Sequence, residues 1–128
     1  MTRNKLEALL ADSYSSAPEY PFERYPSVAV FRHSGNKKWF AAIMRISKSK
    51  LGAVGEEKID IVNVKCPTEI IDSLWKESGV YPAYHMNKAH WVSVCLDGSA
   101  ADETVKWLLE ISYKLTEPKN KSRSPRSR

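Results

Sequence analysis

The sequence predicts an α+β domain, an antiparallel sheet with helices packed on one face, in the order α-β-β-β-α-β-α. Three observations carry this. Three apolar segments between residues 28 and 65 have strand length and are separated by turn-forming or Gly-punctuated stretches. Two stretches, 3–14 and the region from Ser99 to residue 117, repeat their apolar residues at helical spacing. A shorter helical stripe and one more strand occupy the interval between them.

Taken in order, residues 3–14 read as an amphipathic helix, with Thr2 as N-cap and Leu6, Leu9 and Leu10 on one side. The stretch SSAPEYPFERYPS, with three prolines, is an irregular connector, and Phe22 and Tyr25 are expected to cover the core. Val28 to His33 is a strand, and Ser34-Gly35-Asn36-Lys37 is a hairpin turn. The second strand, Lys38 to Ile46, is largely apolar, as a central strand should be. A Gly-punctuated loop carrying Lys48 and Lys50 leads to the third strand, Ile59 to Lys65. Three strands joined in this way form a meander. Pro67 suits the first turn of a helix whose stripe is Ile70, Ile71, Leu74 and Trp75, stopped by Gly79. Trp91 to Leu96 is a strand that places Trp91, Ser93 and Cys95 on one face and Val92, Val94 and Leu96 on the other. The turn at Asp97-Gly98 leads to a last helix with Asp102 and Glu103 in its first turn, and Val105, Leu108, Leu109 and Ser112 facing inward. Met86-Asn87-Lys88 reads as a tight turn, because Asn tolerates left-handed backbone.

A chain of 128 residues is expected to form one domain, here 1–117, followed by a basic tail, 118–128, whose composition predicts disorder. No apolar run approaches the ~20 residues of a membrane span. The first residues lack the apolar core of a secretion signal. Cys66 and Cys95 have no CxxC partner and read as packed apolar residues, consistent with a reducing, cytoplasmic setting. The net charge of +5 lies entirely in the tail, whose five basic residues leave 15 basic and 15 acidic residues in 1–117. Within the body, residues 32–65 hold eight basic residues against three acidic ones, a segregation that creates a directed surface potential.

Unusual residues concentrate in PAYHMNKAHWVSVCLDG, Pro82 to Gly98. His85 and His90 are five apart, which fits neither the helical zinc pair nor a zinc-finger spacing, so no metal or cofactor is expected. There is no nucleophile elbow, and Gly52 and Gly55 match no phosphate-binding fingerprint, so catalysis is not expected either. The loop is either a turn closed by its own hydrogen bonds with Trp91 in the core, or a recognition surface. In the second case His85, Asn87, Lys88 and His90 supply groups that reach phosphates or base edges.

PAYHMNKAHWVSVCLDG, together with Tyr20-Pro21-Phe22, VNVKC at 62–66 and ISYKL at 111–115, resembles the MmcQ/YjbR-like family across 1–117. The resemblance implies a frataxin/CyaY-like fold and DNA binding through a "double wing" of β-hairpins. Ala89 departs from the basic residue often present in the family motif, and Cys66-Pro67 lacks an intervening acidic cap. The wings coincide with the basic excess, with Lys37 and Lys38 on one and Lys48 and Lys50 on the other. The expectation is therefore a DNA-binding protein of weak sequence selectivity, with no membrane or small-molecule partner. The alternative is a non-catalytic protein-interaction module.

Overall fold

The computed structural model describes residues 1–119. Beyond Lys119, the tail expected over 118–128 lies outside the described residues. Helix α1 spans Arg3–Tyr14, and the Thr2 hydroxyl accepts the Lys5 N–H at 3.2 Å. Ser15 ends the helix in left-handed backbone. Strands β1 (Ala29–Arg32), β2 (Trp39–Ser47) and β3 (Lys58–Lys65) form the expected meander, with a single 3₁₀ turn at Lys48–Leu51 between the last two. Helix α2 (Thr68–Leu74) is shorter than its stripe suggests, with Pro67 just before it and Trp75 exposed. Strand β5 (Trp91–Cys95) and helix α3 (Asp102–Thr116) complete the expected set. A short strand, β4 (Val80–Pro82), is added at the sheet edge.

The sheet is antiparallel throughout, in the order β1-β2-β3-β5-β4. All three helices cover one face. Leu6, Leu10, Ile71, Leu74, Val105, Leu108 and Leu109 pack there against Ala29, Phe31, Ile43, Val62, Val64, Val92 and Val94. Burying each such side chain stabilises the fold by about 1.5–3 kcal/mol. The opposite face carries no helix. At one end of it Leu51, Tyr81 and Tyr84 cover Ile46, Ile59, Ile61 and Cys95. The connector aromatics behave otherwise than expected: Tyr25 is 64% exposed and Phe22 39%, because residues 22–27 turn outward. Phe22 meets only the edge of Trp39, at 6.0 Å between ring centroids.

Two irregularities shape the end of the sheet at which β2 begins. Phe31 faces Ala41 but Arg32 faces Trp39, so Phe40 is an extra residue bulged out of the β1–β2 ladder. The Phe40 ring is fully buried against Tyr14, His33 and Tyr113. Beside it the Ser112 hydroxyl accepts the Lys65 N–H at 2.9 Å and donates to the Phe40 carbonyl at 2.6 Å.

The β1–β2 turn is fastened to the end of α3. His33 is 5% exposed, and its Nε2–H is shared between the Tyr113 carbonyl and the Thr116 hydroxyl, both at 2.9 Å. The Thr116 hydroxyl itself donates to the Ser112 carbonyl, which assigns this tautomer. Asn36 Nδ2 donates to the Thr116 carbonyl at 3.0 Å. Gly35 lies so close to Pro118 that a Cβ on it would come within 2.7 Å of the ring.

Burial lowers the His33 pKa, against the opposing pull of the Tyr113 carbonyl and the Glu117 charge. The folded state therefore disfavours a proton that the unfolded chain accepts near its ordinary value of about 6.5. Stability from this group is complete above that value and is lost as pH falls through the lower native one. The urea midpoint should thus drop between about pH 7.5 and about pH 5, and His33→Gln should flatten that slope. Gly79, at φ +79°, faces Ala100 so closely that a Cβ would sit 2.6 Å from the Ala100 nitrogen. Gly79→Ala should cost roughly 2–4 kcal/mol in urea denaturation, from left-handed strain plus overlap.

Candidate functional site

The signature loop is built on a closed polar ring. Asn63 and Ser93 are fully buried cross-strand partners of β3 and β5. The Ser93 hydroxyl donates to Asn63 Oδ1 and accepts the Tyr84 N–H at 2.9 Å, while Asn63 Nδ2 donates to the Tyr84 carbonyl at 3.0 Å. Both main-chain groups of Tyr84 are thereby satisfied, and the next residue turns sharply. That residue, His85 at φ +59°, takes the left-handed backbone expected around Asn87, and its ring packs edge-on against Tyr84.

Asn87 works within the loop. Its Oδ1 accepts the Ala89 N–H at 2.8 Å, and its carbonyl accepts the N–H groups of His90 and Trp91. The Thr68 hydroxyl donates to the Ala89 carbonyl at 3.0 Å, which leaves it to accept from His90 Nδ1 at 3.0 Å. The His90 carbonyl accepts the Cys66 N–H. Asn87 thus closes the loop on itself and His90 ties it to the start of α2, while the side chains of His85, Asn87, Lys88 and His90 are all exposed.

The two hairpin tips lie at opposite ends of the sheet. Lys37 and Lys38 precede β2 and Lys48 and Lys50 follow it, with a nine-residue strand, about 27 Å, between them. Their electrostatics differ as well. Lys48 pairs with Glu57 at 3.8 Å, and Glu56 accepts from Ser49, so the second tip is largely neutralised around an exposed Lys50. Among the described residues, Lys37, Lys38, Lys65 and Lys88 make no ion pair.

Lys37, Lys38 and Lys65 share one site with two indoles. A shallow cleft of about 300 Å³ is lined by Lys37, Lys38, Trp39, Lys65, Trp91 and Thr116. Lys65 and Trp91 are cross-strand partners, so their side chains share a face, the one without helices. The Arg32 guanidinium lies 5.7 Å from the Trp39 ring centroid and is itself held by Glu19 at 2.9 Å. Lys88 lies in the loop that enters β5 at Trp91, at the same end. Of the sequence-predicted residues, the structure brings Lys37 and Lys38 into this cleft, places Lys88 three residues before Trp91 and outside the cleft lining, and leaves Lys48 and Lys50 remote. It adds Trp39, Lys65 and Trp91. Strand alternation puts Lys65 and Trp91 on one side, but only the packing shows that no helix covers it.

A larger groove of about 600 Å³ runs between α1 and α3. Its Glu110 is already engaged by the Tyr14 hydroxyl at 2.8 Å and Lys114 at 3.3 Å, so it presents little unsatisfied charge. The two thiols are unsuited to nucleophilic work. Burial pushes Cys66 up to about 12, and burial with the Asp97 charge pushes Cys95 up to about 11. Among the described residues, no three His, Cys, Asp or Glu side chains converge, and no helix is long and apolar enough to cross a membrane.

The fold and cleft define a small α+β domain with a basic, aromatic cleft at one end of its sheet. The YjbR family model matches residues 14–115, and the chain belongs to that family. It is 40% identical over 116 residues to the uncharacterized protein YyaQ of Bacillus subtilis strain 168, covering 91% of this chain and 98% of that one. Over 82 residues it is 34% identical to the uncharacterized protein YjbR of Escherichia coli K12, covering 62% and 70% of the two chains. A crystal structure of a Pseudomonas syringae protein superposes with a TM-score of 0.89 at 40% identity, over 91% of this chain and all of that one. A Deinococcus radiodurans protein, at 24% identity over 94% of this chain and 83% of its own, shares the fold with a TM-score of 0.70.

Removing a member of the Tyr84 ring strands buried polar groups. Asn63→Ala should cost about 1–3 kcal/mol in chemical denaturation, with Ser93→Ala in the same range. Cys66 and Cys95 should resist a thiol reagent at neutral pH in the native protein and react fully once urea unfolds it.

Proposed function

We propose that the protein binds nucleic acid at the end of the sheet where Lys37, Lys38, Lys65 and Lys88 gather, and that it does so without catalytic chemistry. The observation that carries this reading is the cleft itself, in which three lysines without acidic partners surround two indoles. A polyanion is the ligand that such a site best compensates. DNA is the nucleic acid that the family resemblance favours. Lys37 and Lys38 would contact phosphates from a turn that His33 and Asn36 hold rigid against α3. Lys65 and Lys88 would extend that contact across the sheet end. Lys48 and Lys50, on the far tip, contribute only if the ligand spans the whole sheet. Affinity would be on the order of 10⁻⁴–10⁻⁶ M at physiological salt and would fall steeply as salt rises.

A second reading, docking of a protein partner, is favoured by one observation. Tyr20, Phe22 and Tyr25 are 54%, 39% and 64% exposed within six residues of each other.

Titration of DNA at two salt concentrations separates these readings. Charge reversal of Lys37, Lys38 and Lys65 together should weaken binding at every DNA sequence and lower the salt slope by about 0.9 for each phosphate no longer neutralised. Reversal of Lys48 and Lys50 should change it much less. If only removal of the residues after 119 abolishes binding, the tail alone binds and the proposal fails. Tyr20→Ser with Tyr25→Ser should leave DNA binding intact.

A further inference from the structure

The geometry points to an unpaired nucleotide as the occupant of the cleft, with its base against Trp39 and Trp91 and its phosphates on Lys37, Lys38 and Lys65. The inference rests on the nucleic-acid reading above and specifies which form of nucleic acid that site takes. Four observations lead there. First, both tryptophans are half-buried and line the cleft, so each offers part of a ring to an occupant. Lysines alone would suffice for phosphate; two indoles beside them add surfaces on which any base can stack. Second, Trp39 is set before binding. Arg32 lies over its ring and Phe22 meets it edge-on, so its orientation is fixed at little further entropic cost. Third, Trp39 and Trp91 belong to β2 and β5, second neighbours with β3 between them, so the two indoles approach the cleft from different strands. Lys65, on the intervening strand, lies between the indoles. Fourth, the cleft is small: about 300 Å³ is at the low end of what a single small ligand occupies, the scale of one base. Paired bases within a duplex turn only their edges outward, so an indole stacks there only at a helix end or after unstacking a step, whereas an unpaired base offers its face directly.

The cleft offers no amide or carboxylate to a base edge, and in this arrangement its lysines are engaged by phosphates. Its side chains are lysines, indoles and the Thr116 hydroxyl, and that hydroxyl already donates to the Ser112 carbonyl. Binding would therefore be tolerant of sequence, and would discriminate strandedness instead. No group in the cleft is placed to distinguish ribose from deoxyribose, so oligo-dT and oligo-rU both serve as probes.

The test uses the full chain and fluorescence anisotropy with oligo-dT, oligo-rU and a blunt duplex, each of about fifteen nucleotides or base pairs. The single strands should bind more tightly than the duplex. Trp39→Ala and Trp91→Ala should each weaken single-strand binding about 5- to 150-fold, leave duplex binding unchanged, and be largely rescued by phenylalanine at the same position. Circular dichroism melts verify that each variant is folded. Independently of any variant's stability, in the unmutated protein two of the four indole N–H resonances, those missing from Trp39→Phe and Trp91→Phe, should shift with oligo-dT but not with duplex. Equal binding of duplex and single strand, with neither indole responding, would overturn the inference while leaving nucleic-acid binding standing. Failure of all three probes to bind would overturn both. A response of both indoles to oligo-dT and to oligo-rU supports the cleft as described, and a response to only one would overturn its tolerance of sugar and base.

Discussion

A single hydroxyl, that of Ser112, replaces one rung of the central ladder, and the geometry of the cleft end follows from it. It accepts the Lys65 N–H and donates to the Phe40 carbonyl, so the β2–β3 pair ends in a side-chain bridge where a backbone bond would otherwise form. Both main-chain groups are satisfied in a buried setting, where leaving either alone costs about 1–3 kcal/mol. The bridge brings α3 onto the sheet and accommodates the bulge at Phe40. The Phe40 ring then enters the helix-side core, while Trp39 joins Arg32 and lines the cleft. An alanine at 112 would fit the same space but bridge nothing.

Rigidity and charge are distributed unequally over the molecule. The turn at residues 34–37 looks like a free hairpin tip in a sequence, yet His33, Asn36 and Gly35 dock it on the end of α3. The other connection, 48–57, closes on itself through Lys48–Glu57 and Ser49–Glu56 and folds Leu51 down as a lid on the second small core. One connection presents positive charge on a fixed support, whereas the other spends its charge internally. Surface ion pairs such as Lys48–Glu57 add little stability, so the main effect of this one is on the local potential.

The parts of this fold legible in the sequence are those with strong periodicity. Helices α1 and α3 and the strands β1, β2, β3 and β5 follow their apolar patterns to within a residue or two. Strand β4 escapes because three residues ending in Pro82 carry no pattern to recognise. Alternation in a meander already places successive tips at opposite ends of the sheet, so the distance between Lys37 and Lys50 is implicit in the strand order. What no local pattern holds is the sharing of burial between loop and core. Asn87 and His90 carry bonds to Ala89 and Thr68 that no sequence pattern announces, although both side chains stay exposed. Trp91 looks like core until the face it occupies proves to have no helix over it. Tyr25 is exposed for the converse reason, that a proline-rich connector has its own turns to make.

The edges of the sheet have a consequence for assembly. On the outer side of β1, Val30 exchanges both of its main-chain bonds with Glu19, so a connector residue occupies the place of a neighbouring strand. On the other side β4 is only three residues long and ends in a proline, which has no N–H to offer. An extended peptide seeking to add itself as a sixth strand meets a capped position on one flank and a truncated ladder on the other. Recruitment of another chain by β-augmentation, and the run-on polymerisation that open edges invite, are disfavoured by the same two devices. Whatever this domain engages must come to its faces and its ends.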